Sequence, residues 1–228
     1  QEVLFLSGDL PFATPEEISV FIRRSRAVPC DYGIGLVTRD SLQAFAPGPG
    51  SEPGLEVAYF NLREGRLRQS NLHYARPGRL GNLDRIEEMY EHRHQRRFWN
   101  MLVLAWKLAF SKAGGPRIVF LYSLMHLAGL LDRWGLIRLA DRLRSFVGLD
   151  ATARVIGDVL DCQTRFIVTE AGGCGIDVDT ERDYDTVSAR FAQWRKSQDR
   201  HAAELYGPLL LPEAAGRERT GTPSDAGA

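Results

Sequence analysis

A short apolar run, Val3-Leu4-Phe5-Leu6, breaks off into Ser7-Gly8-Asp9-Leu10-Pro11 and leads at once into a helix start. Thr14 stands as N-cap, Pro15 at the first helical position and Glu17 at the third. That is a capping box with proline where a first turn has no use for its missing N–H. Strand, tight loop and capped helix in direct succession constrain the chain to an α/β layer fold. In open α/β sheets ligands gather beyond the carboxyl ends of the strands, and Asp9 stands at such an end. Gly8 lets a backbone or a phosphate come close, and Pro11 stiffens the turn. The same local pattern also allows Asp9 to serve only as a turn cap.

The arrangement recurs late in the chain. Thr164–Thr169 reads as a strand, Gly172-Gly173-Cys174-Gly175 follows, and Asp177-Val178-Asp179-Thr180 leads into a helix capped by Thr180 with Asp183 at its third position. Alternation in an extended segment puts Asp177 and Asp179 on one side, where both can face a divalent cation. Mg²⁺ takes carboxylate oxygens and keeps waters while bridging to phosphates. The bland alternative is that Asp179 caps the helix and Asp177 is solvated.

Between these segments, 33–38 reads as a strand and 47–54, with its repeated Pro-Gly, as a loop. Residues 56–61 and 66–71 read as a hairpin or a nearby strand pair around Arg63-Glu64-Gly65. A helical period runs over 83–112 and stops at Ala113-Gly114-Gly115-Pro116. Further helices are expected over 117–147, broken near Gly135, and over 151–160. Ile18, Phe21 and Ile22 mark the inner face of the first helix, and Tyr184, Val187, Phe191 and Trp194 that of the last. Residues 212–228 are small and polar, the composition of a disordered tail. The sequence therefore reads as one α/β domain over 1–211 with a helical insertion at about 84–160.

Composition narrows the partners. Twenty-nine Lys+Arg balance 29 Asp+Glu, so no global basic field draws the chain to nucleic acid. Three scattered cysteines, Cys30, Cys162 and Cys174, fit a reducing compartment better than a disulfide scaffold. No signal peptide is visible near Gln1, and the greasiest stretch, 118–131, is short of the roughly 20 apolar residues a membrane span needs. A soluble, cytoplasmic protein is the expectation. A chain that opens on Gln1, directly before a strand, also suggests further sequence upstream.

Other candidates are less pointed. His92 and His94, with Glu88 or Glu91, lie two apart and do not share a helix face. They read as a solvated surface rather than a metal site. His73 and His126 are lone histidines, and Ser7 lacks the spacing of a nucleophile elbow. Asn71 and Arg76 follow the central hairpin, where an acceptor could bind, and Arg96 and Arg97 could clamp a phosphate. For all four, solvated surface is the alternative. In the insertion, Leu124, Leu127, Leu130, Leu131, Leu136, Ile137 and Leu139 interleave with Arg133, Arg138, Arg142 and Arg144. Such a stripe packs on its own domain, or lies on a membrane surface or an amphiphilic acceptor.

Residues 5–18 and 175–184 together resemble the nucleotidyltransferases with a MobA-like NTP-transferase domain. That superfamily includes molybdenum-cofactor guanylyl- and cytidylyltransferases and sugar-phosphate nucleotidyltransferases. The shared pattern is a hydrophobic strand, Gly8-Asp9-Leu10-Pro11 and the Thr14-Pro15-Glu16 helix. Later comes an Asp-rich strand end before Thr180-Glu181-Arg182-Asp183, with Glu181 where the family often has proline. The resemblance implies a three-layer, mostly parallel sheet of the nucleotide-diphospho-sugar transferase type. It implies Asp9 and Asp177 as catalytic Mg²⁺ ligands, with Asp179 as a further acidic ligand. Gly8, Pro11, Asn71, Arg76, Arg96 and Arg97 become nucleotide- or acceptor-binding residues.

The implied reaction moves NMP from an NTP to a phosphorylated small molecule and releases pyrophosphate. The family's Gly-rich loop, with its Arg and Lys, precedes the Gly-Asp-x-Pro segment, and this sequence does not contain it. Without that cradle the chain by itself is expected to bind Mg²⁺ and nucleotide poorly. Two rivals stand beside this reading. One is a nucleotide-sugar-dependent glycosyltransferase of related fold; the other is a non-catalytic interaction module with a basic amphipathic insert.

Overall fold

The computed structural model describes residues 1–48, 53–82 and 115–207. Among the described residues five strands form one sheet: β1 (Val3–Leu6), β2 (Tyr32–Thr38), β3 (Phe60–Leu62), β4 (Gly65–Ala75) and β5 (Thr164–Thr169). Their order is β1-β4-β2-β5, with β3 paired to the start of β4. β4 runs antiparallel to β1, β2 and β3, and β2 and β5 are parallel neighbours. The sheet is mixed and mostly antiparallel, which corrects the expectation of a mostly parallel one. The cause is β4. The hairpin forms, but the strand runs on to Ala75 because Leu72 and Tyr74 bury into the core, and so it wedges between β1 and β2.

Helices pack against both faces. On one lie α1 (Pro15–Ala27) and α5 (Glu181–Tyr206). They cover Phe12, Val37, Leu42, Phe45 and Ile176 with Val187 and Trp194, and Leu72, Tyr74 and Ile167 with Phe21. On the other, Leu36, Leu62 and Leu67 meet Val147, Leu121, Leu124 and Leu149. These belong to α2 (Gly115–Arg133), α4 (Leu149–Leu160) and the end of the turn after α3 (Ile137–Arg144). Gly135 adopts φ 76° between α2 and α3, which is where the sequence places a break. α2 is tied to β4 through Asp132, which accepts from Arg66 and, at 2.8 Å, from Arg144 of α3. The helix expected over 83–112 and the tail over 212–228 lie outside the described residues.

Local chemistry sets the helix ends. Thr180 and Asp183 form a reciprocal capping box at α5. At α1 the Thr14 hydroxyl accepts from the Glu17 N–H at 3.3 Å, but the Glu17 carboxylate does not complete the box. It turns inward, fully buried. There it accepts from the Thr169 hydroxyl at 2.8 Å, the Gly172 N–H at 3.1 Å and the Cys174 N–H at 3.0 Å.

The glycines after β5 answer to packing. Gly172 sits at φ 85°, a conformation that costs other residues strain. A Cβ built on Gly173 would lie 2.0 Å from the Phe12 carbonyl oxygen, whereas one on Gly8 meets nothing within 4 Å. Gly173→Ala is therefore expected to destabilise by about 3 kcal/mol or more in urea unfolding, and Gly8→Ala by less than about 0.5 kcal/mol. Similar midpoints for the two variants would contradict this packing.

All three cysteines are free. Burial pushes the Cys30 thiol up to about 11. Burial raises Cys174 further still, aided by the neighbouring Glu17 carboxylate, and burial also raises Cys162. Only the thiolate attacks a disulfide reagent. At neutral pH the folded chain should react slowly with an aromatic disulfide, the half-exposed Cys162 first and Cys30 and Cys174 only on unfolding. Fast labelling of Cys174 in the native chain would count against its burial.

Candidate functional site

β1, β2 and β5 all point their carboxyl ends to one rim. The register pairs Leu6 with Leu72, Thr38 with Leu67, and Val37 with Thr169. β4 therefore runs past the end of β1 by several residues, and its Arg68 to Asn71 stretch flanks the place where Ser7-Gly8-Asp9 leaves the sheet. Asp9 is exposed there and accepts a hydrogen bond from the Ser7 hydroxyl.

The pairing of β2 with β4 slips at this level. Ile34 faces His73 and Leu36 faces Gln69, so two residues of β2 span four of β4. The surplus is taken up at a bulge where Asn71 adopts φ 52°. A non-glycine residue in the left-handed region is uncommon, although Asn tolerates it better than most. Bulges re-aim side chains next to functional sites. Here the Asn71 amide donates to Asp177 Oδ2 at 3.0 Å. The Asp177 Oδ1 accepts from Arg68 at 2.5 Å, and the same guanidinium donates through Nε to the Gly175 carbonyl at 2.8 Å. Both members of the Arg68–Asp177 pair are largely buried.

Two helices lock the aspartate-bearing loops to each other. From α1, Glu17 grips the loop that leads to Asp177. From α5, Arg195 donates to the carbonyls of Pro11 and Ala13, at 3.2 and 3.0 Å, in the loop after Asp9. Gln198 donates to the Ala171 carbonyl at 2.9 Å. Farther along the same loop, Tyr206 donates to Glu170 at 2.9 Å, and Arg24 donates to Glu170 at 2.7 Å. Burial would raise the Glu170 pKa, but those two hydrogen bonds outweigh it and hold the carboxyl below its ordinary value.

Gly8, Asp9 and Pro11 lie on the loop that leaves β1 at this end of the sheet, and the structure joins Asn71 and Asp177 directly at the same rim. Asp179 lies two residues on and is exposed. Arg76 is elsewhere. It follows the far end of β4, where Ala75 pairs with Val3, and its guanidinium bonds Glu2 and the Tyr74 hydroxyl. Arg96 and Arg97, and the His92/His94 pair, lie outside the described residues. Arg68 and Glu17 were not among the sequence candidates. An arginine on a hairpin strand reads as solvated, and a glutamate at the third helical position already satisfies a local rule. Among the described residues no group of three or more His, Cys, Asp or Glu side chains is placed to share a metal ion.

No family model matches the chain, and no curated protein matches it. Its fold is similar to that of a solved structure described as a hypothetical transferase from Thermus thermophilus. The TM-score is 0.53 at 20% identity, over 80% of this chain. The chain spans 62% of that structure's length. A likeness at this identity is one of fold.

The Arg68–Asp177 pair has a direct test. A double-mutant cycle of Arg68→Met and Asp177→Asn, read by thermal or urea unfolding, should return a coupling of roughly 1–3 kcal/mol. Strictly additive losses would show that the pair does not form in solution.

Proposed function

We propose that this chain supplies the α/β unit of a nucleotidyltransferase that moves NMP from an NTP to a phosphorylated small molecule, with pyrophosphate as leaving group. The observation that carries the reading is that the loop bearing Asp9 and the Asn71–Asp177–Arg68 cluster both lie at the carboxyl rim of β1, β2 and β5. In α/β sheets that rim is where ligands bind. The fold likeness to a hypothetical transferase is compatible with it, as are helices on both faces of the sheet. The resemblance of 5–18 and 175–184 to MobA-like NTP-transferase domains supplies the reaction class. Residues 1–211 would form the unit, and we place its activity in the cytoplasm.

The acidic donors suit Mg²⁺ in chemical type. Asp9 is exposed, with Oδ1 engaged by Ser7, and it fits a cation that keeps most of its waters. Asp177 already has both oxygens engaged by cationic or amide donors, so it would serve as a ligand only by sharing an oxygen with Arg68 or Asn71. Asp179 is the exposed acid beside it. Bound at these residues, Mg²⁺ would neutralise charge on the nucleotide phosphates.

What the chain itself contributes is positioning. Glu17 and Arg195 fasten the loops that carry Asp177 and Asp9. Arg68 holds Asp177 in one orientation and places a guanidinium near the rim, a group whose fork matches phosphate oxygens. Gly8 leaves its side of the Asp9 loop open to an incoming group. The acceptor oxyanion attacks the α-phosphorus and the bond to the bridging oxygen breaks, so no side chain forms a covalent intermediate.

The test is pyrophosphate release by the full-length enzyme from each NTP with Mg²⁺ and a panel of phosphorylated acceptors. Asp9→Asn should lower turnover by about 100-fold or more, and its melting temperature should move by no more than about 2 °C because the side chain is exposed. Turnover unaffected by Asp9→Asn, or consumption of a nucleotide sugar with no pyrophosphate from any NTP, would overturn the proposal.

A further inference from the structure

Among the described residues the α2–α3 hairpin presents an apolar surface that no other element covers. More than half of the exposed large apolar side chains among the described residues fall within 120–146. On α2, Phe120 and Leu127, and then Trp134 just past its end, recur every seven residues with Leu130 between them. They make one stripe along the helix, while Leu121, Leu124, Ala128 and Leu131 turn toward the protein. At the tip, every residue from Trp134 to Leu139 is exposed, with Gly135 turning the chain at φ 76°. Trp134 is 66% exposed, Ile137 59% and, beyond α3, Phe146 63%. A run of this kind on a water-facing surface marks an interaction site.

The charges decide the partner. Arg138 and Arg142 stand exposed on α3 beside the apolar tip, and Arg117 is exposed near the start of α2. Two acids belong to the hairpin. Asp132 is held inward by Arg66 and Arg144, and Asp141 pairs with Arg144 at 3.2 Å. Among the described residues the outer surface therefore combines a tryptophan, aliphatic side chains and exposed arginines, with the exposed Asp141 drawn to Arg144. A second copy would bring to this face one exposed acid, Asp141, against exposed Arg138 and Arg142. An anionic lipid surface satisfies both parts: Trp and aliphatic groups enter the headgroup–acyl boundary, and arginines meet the acidic headgroups. Among the described residues no helix is long and apolar enough to cross a membrane, so contact would be from one side.

We propose that the α2–α3 hairpin docks on anionic phospholipid bilayers, inserting Trp134, Leu136 and Ile137 and setting Arg138 and Arg142 on the headgroups. This stands apart from the rim chemistry and does not rest on it. The test is co-sedimentation of the full chain with phosphatidylcholine vesicles and with vesicles containing about one-third phosphatidylserine. Binding is expected on the anionic vesicles, weakened by salt and weak on the neutral ones. Trp134→Ser with Ile137→Ser, and separately Arg138→Glu with Arg142→Glu, should each lower partitioning by about tenfold or more. Because these side chains are exposed, unchanged melting curves check that each variant is folded. No binding to anionic vesicles, or binding that survives both double variants, overturns the proposal. So does a concentration-dependent dimer that Trp134→Ser abolishes while vesicle binding is absent, for then a second copy covers this face.

Discussion

The fold turns on the buried carboxylate of Glu17. It lies on α1, one turn after the loop that carries Asp9, and it accepts from one hydroxyl and two backbone N–H groups in the segment leaving β5. A buried charge without partners is costly. A carboxylate with three donors is instead a strong, oriented joint. Because the donors belong to Thr169, Gly172 and Cys174, the joint makes the strand end, the glycine turn and the first helix one body. The close contact of Gly173 with the Phe12 carbonyl follows from that, and so does the need for glycine there.

On that joint rests the geometry of the rim. Asp177 comes only a few residues after Cys174, and its orientation is finished by Arg68 and Asn71 from β4. The long antiparallel strand is thus more than a departure from a parallel sheet. By running past the end of β1 and bulging at Asn71, it delivers two polar side chains to the acidic loop. A parallel strand entering from the opposite edge would point its carboxyl end to this rim and would offer them differently. Arg195 and Gln198 of α5 brace the same two loops from outside, so helix, strand and turn converge on the aspartates from three directions.

The insertion follows another logic. Asp132 between Arg66 and Arg144 pins it to β4, and Leu121, Leu124 and Val147 close the second face of the sheet. Beyond those contacts, Phe120, Leu127 and Leu130 of α2 and Ile137 and Leu139 of α3 stand exposed. An amphipathic stripe read only from spacing offers two equally good destinations, its own domain or an external surface. In this chain one side of α2 packs on its own domain and an adjoining stripe of described residues stands exposed.

Much of the local structure was legible in the amino-acid order, because strands and helix ends are set by near-neighbour chemistry. The strand from Thr164 to Thr169, the caps at Thr14 and Thr180 and the break at Gly135 all express alternation, hydroxyl-to-N–H bonding or a left-handed glycine. The candidate aspartates were equally visible, since they stand where strands give way to capped helices. What tertiary structure alone decided was orientation and partnership. The direction of β4, the inward turn of Glu17, the engagement of Asp177 by Arg68 and the distance of Arg76 from the rim depend on contacts between residues tens to more than a hundred positions apart. Local spacing carries no record of such contacts, because a buried charge-assisted hydrogen bond takes its energy from whichever partner the folded chain brings within reach.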